Sequence, residues 1–147
     1  MIDLVDFNPA HVEVMDLRAE EEHIVQTMDN AYGRLVHMGE DAEKAGTFLH
    51  NGRILCCAGF SIMWPGVADG WIIPSIYVSD APISFCKTIR AYCKEIMETM
   101  NVHRLQTTSY DDAFHKRWME WLGFERECIM KKYTQEGTNM CLYAMVA

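Results

Sequence analysis

A strand, a tight turn and a long amphipathic helix follow one another in residues 70–100, and this unit most constrains how the chain can fold. Residues 70–78, Gly-Trp-Ile-Ile-Pro-Ser-Ile-Tyr-Val, are mostly apolar or β-branched, which predicts a buried strand with a bulge at Pro74. Pro82 suits the first turn of a helix, because its missing N–H costs nothing there. Apolar residues then recur at steps of three and four, which predicts one buried helix face over residues 82–100.

The junction between this strand and this helix has a geometry that binds phosphate groups. Free amides and the positive end of the helix dipole converge at such a point. Ser79 and Asp80 lie in the turn, and either can cap the helix. Any strand–helix unit of an α/β domain contains such a junction, so a phosphate site and a plain connection both remain open interpretations.

Length and composition predict a single domain, residues 1–147, with a sizeable core, because half of the residues are hydrophobic. No apolar run approaches the roughly 20 residues that span a bilayer, and the N-terminus resembles neither a signal nor a transit peptide. The six cysteines lack Cys-x-x-Cys spacing and the histidines lack His-x-x-x-His spacing. We therefore expect reduced core cysteines, no metal site, no membrane association and a cytoplasmic location.

Negative charge is concentrated in the first third of the chain. Residues 1–50 carry eleven Asp and Glu against three Lys and Arg, so they hold the whole net charge of −8. Nonspecific nucleic-acid binding needs a basic face, so we expect no nucleic-acid partner. The acidic part either attracts a cationic substrate or only keeps a surface soluble.

The first half of the chain predicts one strand, a helical stretch and a hairpin. Alternation over residues 11–18 predicts a strand with Val12, Val14 and Leu17 pointing inward. Residues from 19 to about 45 predict either a broken helix or two short ones. Asn-Gly at residues 51–52, between apolar runs, predicts a type I′ hairpin turn.

The second half predicts a strand at 103–109, a helix, and two strands at 124–133 and 138–146. Asp111 or Asp112 caps that helix, and Gly123 ends it in the left-handed conformation. Its apolar positions are Phe114, Trp118, Trp121 and Leu122. The complete order is β-α-β-β-β-α-β-α-β-β, an α/β (α+β) chain.

This order, with a phosphate-suited turn after the fourth strand, resembles the GNAT (Gcn5-related N-acetyltransferase) fold. In that family the last helix often carries Asn, a small residue and Tyr ahead of Gly-Phe. Gly123-Phe124 sets the register here, and Asp112, His115 and Met119 stand at those three places. The family's Gln/Arg-x-x-Gly-x-Gly/Ala loop is absent from residues 78–84. The resemblance implies a mixed central sheet of six to seven strands flanked by helices.

The resemblance also implies an activity, the transfer of an acetyl group from acetyl-CoA to an amine of a small molecule or a protein. Pro74 would open the fourth strand away from the fifth, where the family holds the pantetheine arm. Since Met119 cannot act as an acid, Tyr110 and His115 are the candidate catalytic residues. The candidate coenzyme residues are Tyr77, Val78, Ser79, Asp80, Ala81, Ile83, Ser84, Phe85 and Asp112.

His115 lies four residues after Asp111 on the predicted helix, so the two side chains are expected to face each other. This carboxylate would raise the pKa of the imidazole. His115 is either a catalytic base or a surface residue that supports the start of the helix, and the sequence leaves both open.

The chain also resembles short phage-encoded GNAT-like proteins, which include internal virion proteins of podoviruses. Shared features are a Trp-bearing fourth strand that ends near Val78, Ser79-Asp80 in the loop, and a long helix studded with Lys and Arg. The run His-Lys-Arg-Trp at residues 115–118 is a further one. This likeness implies a second function, an inactive GNAT-fold protein with phage virion partners, located in the host cytoplasm or the virion.

Overall fold

The computed structural model describes residues 2–19 and 44–147. The predicted fold class is confirmed, because helices flank a mixed sheet of seven strands. The elements are β1 (Ile2–Asp6), α1 (Pro9–Val14), β2 (Lys44–His50), β3 (Arg53–Trp64), β4 (Val67–Pro74), a 3₁₀ turn (Ile76–Asp80), α2 (Pro82–Thr99), β5 (Arg104–Tyr110), α3 (Ala113–Leu122), β6 (Glu125–Met130) and β7 (Met140–Val146).

The strands follow the order β1-β2-β3-β4-β5-β7-β6. Strand β4 is parallel to β5 and pairs with it only over Val67–Asp69, opposite Arg104–Gln106. Strand β5 then pairs with β7 along its whole length in antiparallel register. Residues 76–78, which belong to the predicted strand, take no part in this ladder.

The strand predicted at 70–78 begins earlier, at Val67, and ends at Pro74. Residues Ile76–Asp80 form a 3₁₀ turn instead, and the Ser75 hydroxyl caps it by accepting a hydrogen bond from the Tyr77 amide at 3.2 Å. A proline cannot donate to a sheet ladder, and a serine cap then offers the backbone a helical alternative.

The strand predicted at 11–18 is also wrong, because helix α1 occupies Pro9–Val14. The Asn8 side chain accepts a hydrogen bond from the Ala10 amide, and Pro9 takes the first helical position. This cap and the fixed proline φ favour a helix over the alternating pattern. Consequently Val12 is buried, whereas Val14 is 73% exposed. The helix predicted from residue 19 to about 45 lies outside the described residues, except for its ends.

The chain divides into two compact units, and the first comprises Met1–Ser61 and Trp71–Phe85. Its core cluster joins Val12 and Met15 of α1 to Cys57 of β3, with partly buried Phe7 and Trp71 packed against it. The hairpin turn is confirmed in its backbone signature, because both residues of the Asn-Gly pair have positive φ, 51° and 74°.

The second unit comprises Ile62–Gly70 and Cys86–Ala147. Helix α2 buries the predicted stripe in its middle, at Ile89, Cys93 and Ile96. Helix α3 ends at Gly123 with φ 98°, as predicted. Single-domain organisation of the chain stays a prediction.

Of the four apolar positions identified on α3, only Leu122 is buried. Phe114 and Trp121 are 45% and 51% exposed, while His115 and Met119 are buried. The aromatic residues and the buried set both recur at steps of three and four, so periodicity cannot choose between the two faces. Within the two described ranges, none of the helices combines the length and the apolar composition that a membrane span requires.

Gly59 gives a test of core packing in the first unit. A Cβ atom at this position would lie 2.7 and 2.8 Å from two Trp71 ring atoms and 3.0 Å from Ala45 Cβ. Since an indole ring cannot yield as a chain end does, Gly59→Ala should lower the free energy of unfolding by about 1–3 kcal/mol in urea titrations. Gly46→Ala is the matched control, because its close neighbour is the end of the half-exposed Leu4 side chain. Equal urea midpoints for the two variants would contradict this account.

Candidate functional site

The 3₁₀ turn in the first unit is held by Asp16, a residue that no sequence pattern indicated. The Asp16 carbonyl accepts a hydrogen bond from the Ile76 amide at 2.9 Å, and the Asp16 carboxylate accepts one from the Tyr77 hydroxyl at 2.6 Å. The latter bond is the largest cause of a raised pKa of the Tyr77 phenol. The Arg53 guanidinium lies 4.6 Å from the centre of the Tyr77 ring. Residues 61 positions apart carry no local signal of this contact.

The predicted coenzyme residues of the turn differ sharply in exposure. Val78 and Phe85 are buried at 0% and 1% exposure, so their side chains belong to the core. Ile83 is 69% exposed. Ser79, Asp80 and Ser84 are also exposed, and Ala81 is half-buried.

The backbone amides of the turn are partly occupied. The Ala81 amide donates to the Val78 carbonyl at 3.3 Å, and the Phe85 amide donates to the Ala81 carbonyl at 2.9 Å. Pro82 has no N–H. The amides of Ile83 and Ser84 lie in the first turn of α2, where a helix offers them no acceptor. Over residues 79–85, the amides of Ala81 and Phe85 are therefore occupied and Pro82 supplies none. The Asp80 carboxylate in the same turn also opposes an anion.

His115 and Asp112 form a close pair at the start of α3 in the second unit. His115 Nδ1 lies 2.9 and 2.8 Å from the two carboxylate oxygens of Asp112, and the His115 amide donates to Asp112 at 2.7 Å. Partial burial opposes ionisation of Asp112, but these hydrogen bonds outweigh it and hold the pKa of the carboxyl below its usual value.

The prediction that His115 pairs with Asp111 is wrong, because its partner is Asp112. Asp111 instead accepts a hydrogen bond from the Cys141 thiol at 3.5 Å and lies 3.9 Å from an Arg126 nitrogen. The cause is the cap itself, since an N-cap side chain folds over the first turn and reaches the residue three positions later.

An ionised carboxylate only accepts hydrogen bonds, so Nδ1 of His115 must carry the proton that it shares with Asp112. Nε2 is then the ring atom with a lone pair. The Tyr110 and Phe114 rings lie 5.0 and 5.3 Å from the His115 ring, centre to centre. Met119 follows one turn later and is 6% exposed, and it offers no proton. This arrangement can accept and return a proton at Nε2.

The structure thus brings Tyr110, Asp112 and His115 together in the second unit. The other predicted coenzyme residues, over 77–85, lie in the first unit. Among the described residues, no group of His, Cys, Asp or Glu side chains is arranged to hold a metal ion.

No protein-family model and no curated protein matches the sequence. Solved structures do match it. Ard1 from Thermoplasma volcanium has a TM-score of 0.75 at 10% identity, over 99% of this chain and 97% of its own. A GNAT-family acetyltransferase from Bacillus anthracis has a TM-score of 0.74 at 14% identity, over 99% of this chain and 94% of its own. Spermidine N-acetyltransferase from Vibrio cholerae has a TM-score of 0.70 at 8% identity, over 98% of this chain and 94% of its own.

These likenesses cover nearly the whole of each chain, at identities of 8–14% for the three structures. At such identities a structural match defines the fold and leaves the chemistry to the residues of the site. The chain has the GNAT fold.

Asp112 gives a test of the cap and its pH dependence. Asp112→Ala should lower the free energy of unfolding by about 1 kcal/mol at pH 7, as is typical for a lost N-cap. The folded pKa of Asp112 is depressed, so its ionised form stabilises the fold above the unfolded pKa of about 3.9, and this contribution is lost as the pH falls through the folded value. In urea titrations the difference from wild type should therefore shrink below about pH 4.

Asp112→Asn is the matched control, because asparagine caps a helix about as well as aspartate. Because this variant keeps the cap but lacks the ionised charge, it should unfold at pH 7 between wild type and Asp112→Ala. An asparagine variant as unstable as the alanine variant would contradict the cap assignment.

Proposed function

We propose that this protein transfers an acyl group from acetyl-CoA to an amine of a small molecule or a protein. The GNAT fold supports this, because the similar structures named above include acetyltransferases. The observation that carries the proposal is the His115–Asp112 pair, which leaves Nε2 of a buried imidazole as a proton acceptor.

Two amides of α2 fit the pyrophosphate of the coenzyme, those of Ile83 and Ser84, at the positive end of an 18-residue helix. Lys87 follows one turn later, is exposed, and adds a positive charge. Bound acetyl-CoA supplies the acyl thioester. Because glycines are absent and part of the turn satisfies its own amides, the chain offers fewer donors than the family loop.

His115 accepts the proton of the attacking amine at Nε2. Asp112 fixes the tautomer and stabilises the imidazolium that results, as a carboxylate does beside a basic histidine. Met119 cannot protonate the departing sulfur, so Tyr110 or a water molecule donates that proton.

A second candidate is a protein that keeps the fold without the chemistry, such as a phage virion or interaction component. Two observations favour it. Met119 stands where the family places tyrosine, and the bonds of the Ala81 and Phe85 amides leave few donors for a pyrophosphate. Its expected location is the host cytoplasm or the virion.

Coenzyme binding separates the two candidates. Acetyl-CoA at about 100 times its Kd should stabilise the enzyme by roughly 2.7 kcal/mol, measured as a rise in melting temperature. Ser84→Glu should abolish the rise by repelling the pyrophosphate, while its effect on the free protein should be neutral or stabilising at a helix N-terminus. Ser84→Ala, which keeps the amide, should retain the rise. A wild-type melting temperature unmoved by millimolar acetyl-CoA would favour the non-catalytic candidate.

Proton transfer gives the test of His115. His115→Gln should lower kcat by about 10²–10⁴-fold in a thiol-release assay with a panel of amines. The melting response of this variant to acetyl-CoA should be retained. Met119→Tyr should raise the rate by restoring an acid. Unchanged turnover in His115→Gln would show that His115 only supports the helix.

A further inference from the structure

A network of four polar side chains in the second unit joins β4, β5 and β6. Asp69 is the last residue of β4 that pairs with β5, and its partner across the parallel ladder is Gln106. The side chain of Gln106 hydrogen-bonds to the Asp69 carboxylate. Gln106 in turn contacts Arg104, which is bound to Glu127 of β6.

Arg104 determines which end of the Gln106 amide faces Asp69. Arg104 Nε donates to Gln106 Oε1 at 3.0 Å, so the amide nitrogen is the group that donates to Asp69. The two terminal nitrogens of Arg104 donate to the Glu127 carboxylate at 2.8 and 2.5 Å. The guanidinium charge is therefore matched by Glu127, and only a neutral donor reaches Asp69.

Asp69 is thus a carboxylate without a cation among the described residues, where the ion pairs involve other acids. Neighbouring atoms desolvate it and raise its pKa, although the Gln106 hydrogen bond lowers it. The residue nevertheless remains exposed to solvent. A desolvated yet accessible carboxylate gains most from a cationic ligand.

Strand β5 runs from the partner of Asp69, Gln106, to Tyr110, which lies beside His115. Gln106 and Tyr110 are four residues apart on β5, so they project from the same face, about 13 Å apart along the strand. Tyr110 contacts the His115 ring. One ammonium group beside Asp69 would leave room for a second nitrogen further along this face.

We propose that Asp69 binds one ammonium group of a dicationic acceptor, whose other nitrogen is acylated. This rests on the proposed function, and it makes Asp69 a specificity residue for extended diamines. Gln106 and Arg104 are positioning residues, because they act on the acceptor only through Asp69.

The first test is binding without coenzyme. Isothermal titration with 1,8-diaminooctane should show binding to wild type, and Asp69→Asn should raise the apparent Kd about tenfold or more, as expected for a bond to a charged group. The neutral probe 1,8-octanediol should not distinguish the two proteins. Glu98→Gln, which removes an exposed carboxylate of α2, should bind the diamine like wild type.

The second test is turnover with matched acceptors. Asp69→Asn should raise KM for 1,8-diaminooctane while kcat changes little, and octylamine, whose single nitrogen must react, should be used equally by both proteins. Failure of the proposed function would appear separately, as no acetyl-CoA melting response and no thiol release. No diamine binding, or equal binding by wild type and Asp69→Asn, would overturn the assignment of Asp69.

Discussion

The three-residue parallel ladder between β4 and β5 is the constraint on which much of this structure depends. Parallel neighbours need a crossover, and α2 supplies it between Asp69 and Arg104. Because the ladder ends at Asp69, the rest of β4 forms no ladder hydrogen bonds with β5. The strand can therefore end at Pro74 and continue into a 3₁₀ turn without breaking any hydrogen bond of this ladder. After this turn, the amides of Ile83 and Ser84 lie in the first turn of α2, where the helix itself offers them no acceptor.

The neighbouring carboxylates of Asp111 and Asp112, at the start of α3, contact different partners because only Asp112 is the N-cap residue. Asp112 has the extended conformation of an N-cap, so its side chain turns over the helix and meets His115. Asp111 precedes the cap and meets Arg126 and the Cys141 thiol. A shift of one residue thus decides which carboxylate orients the imidazole.

Local chemistry made several elements predictable. The Asn-Gly pair specified its hairpin turn by positive φ, Pro82 marked the start of α2, and Gly123 marked the end of α3. Local chemistry also misled where two signals competed. Alternating residues at 11–18 suggested a strand, yet the cap at Asn8 prevailed and made helix α1.

By itself, the sequence determined the fold class, the order of strands and helices from β2 onward and the identity of His115 as a polar residue on the last helix. These follow from turn chemistry and periodicity, which act over a few residues. Only the tertiary structure decided the partner of His115, the hold of Asp16 on the turn, and the Asp69 network. Such contacts join residues far apart in sequence, or depend on one cap conformation, so no local pattern encodes them.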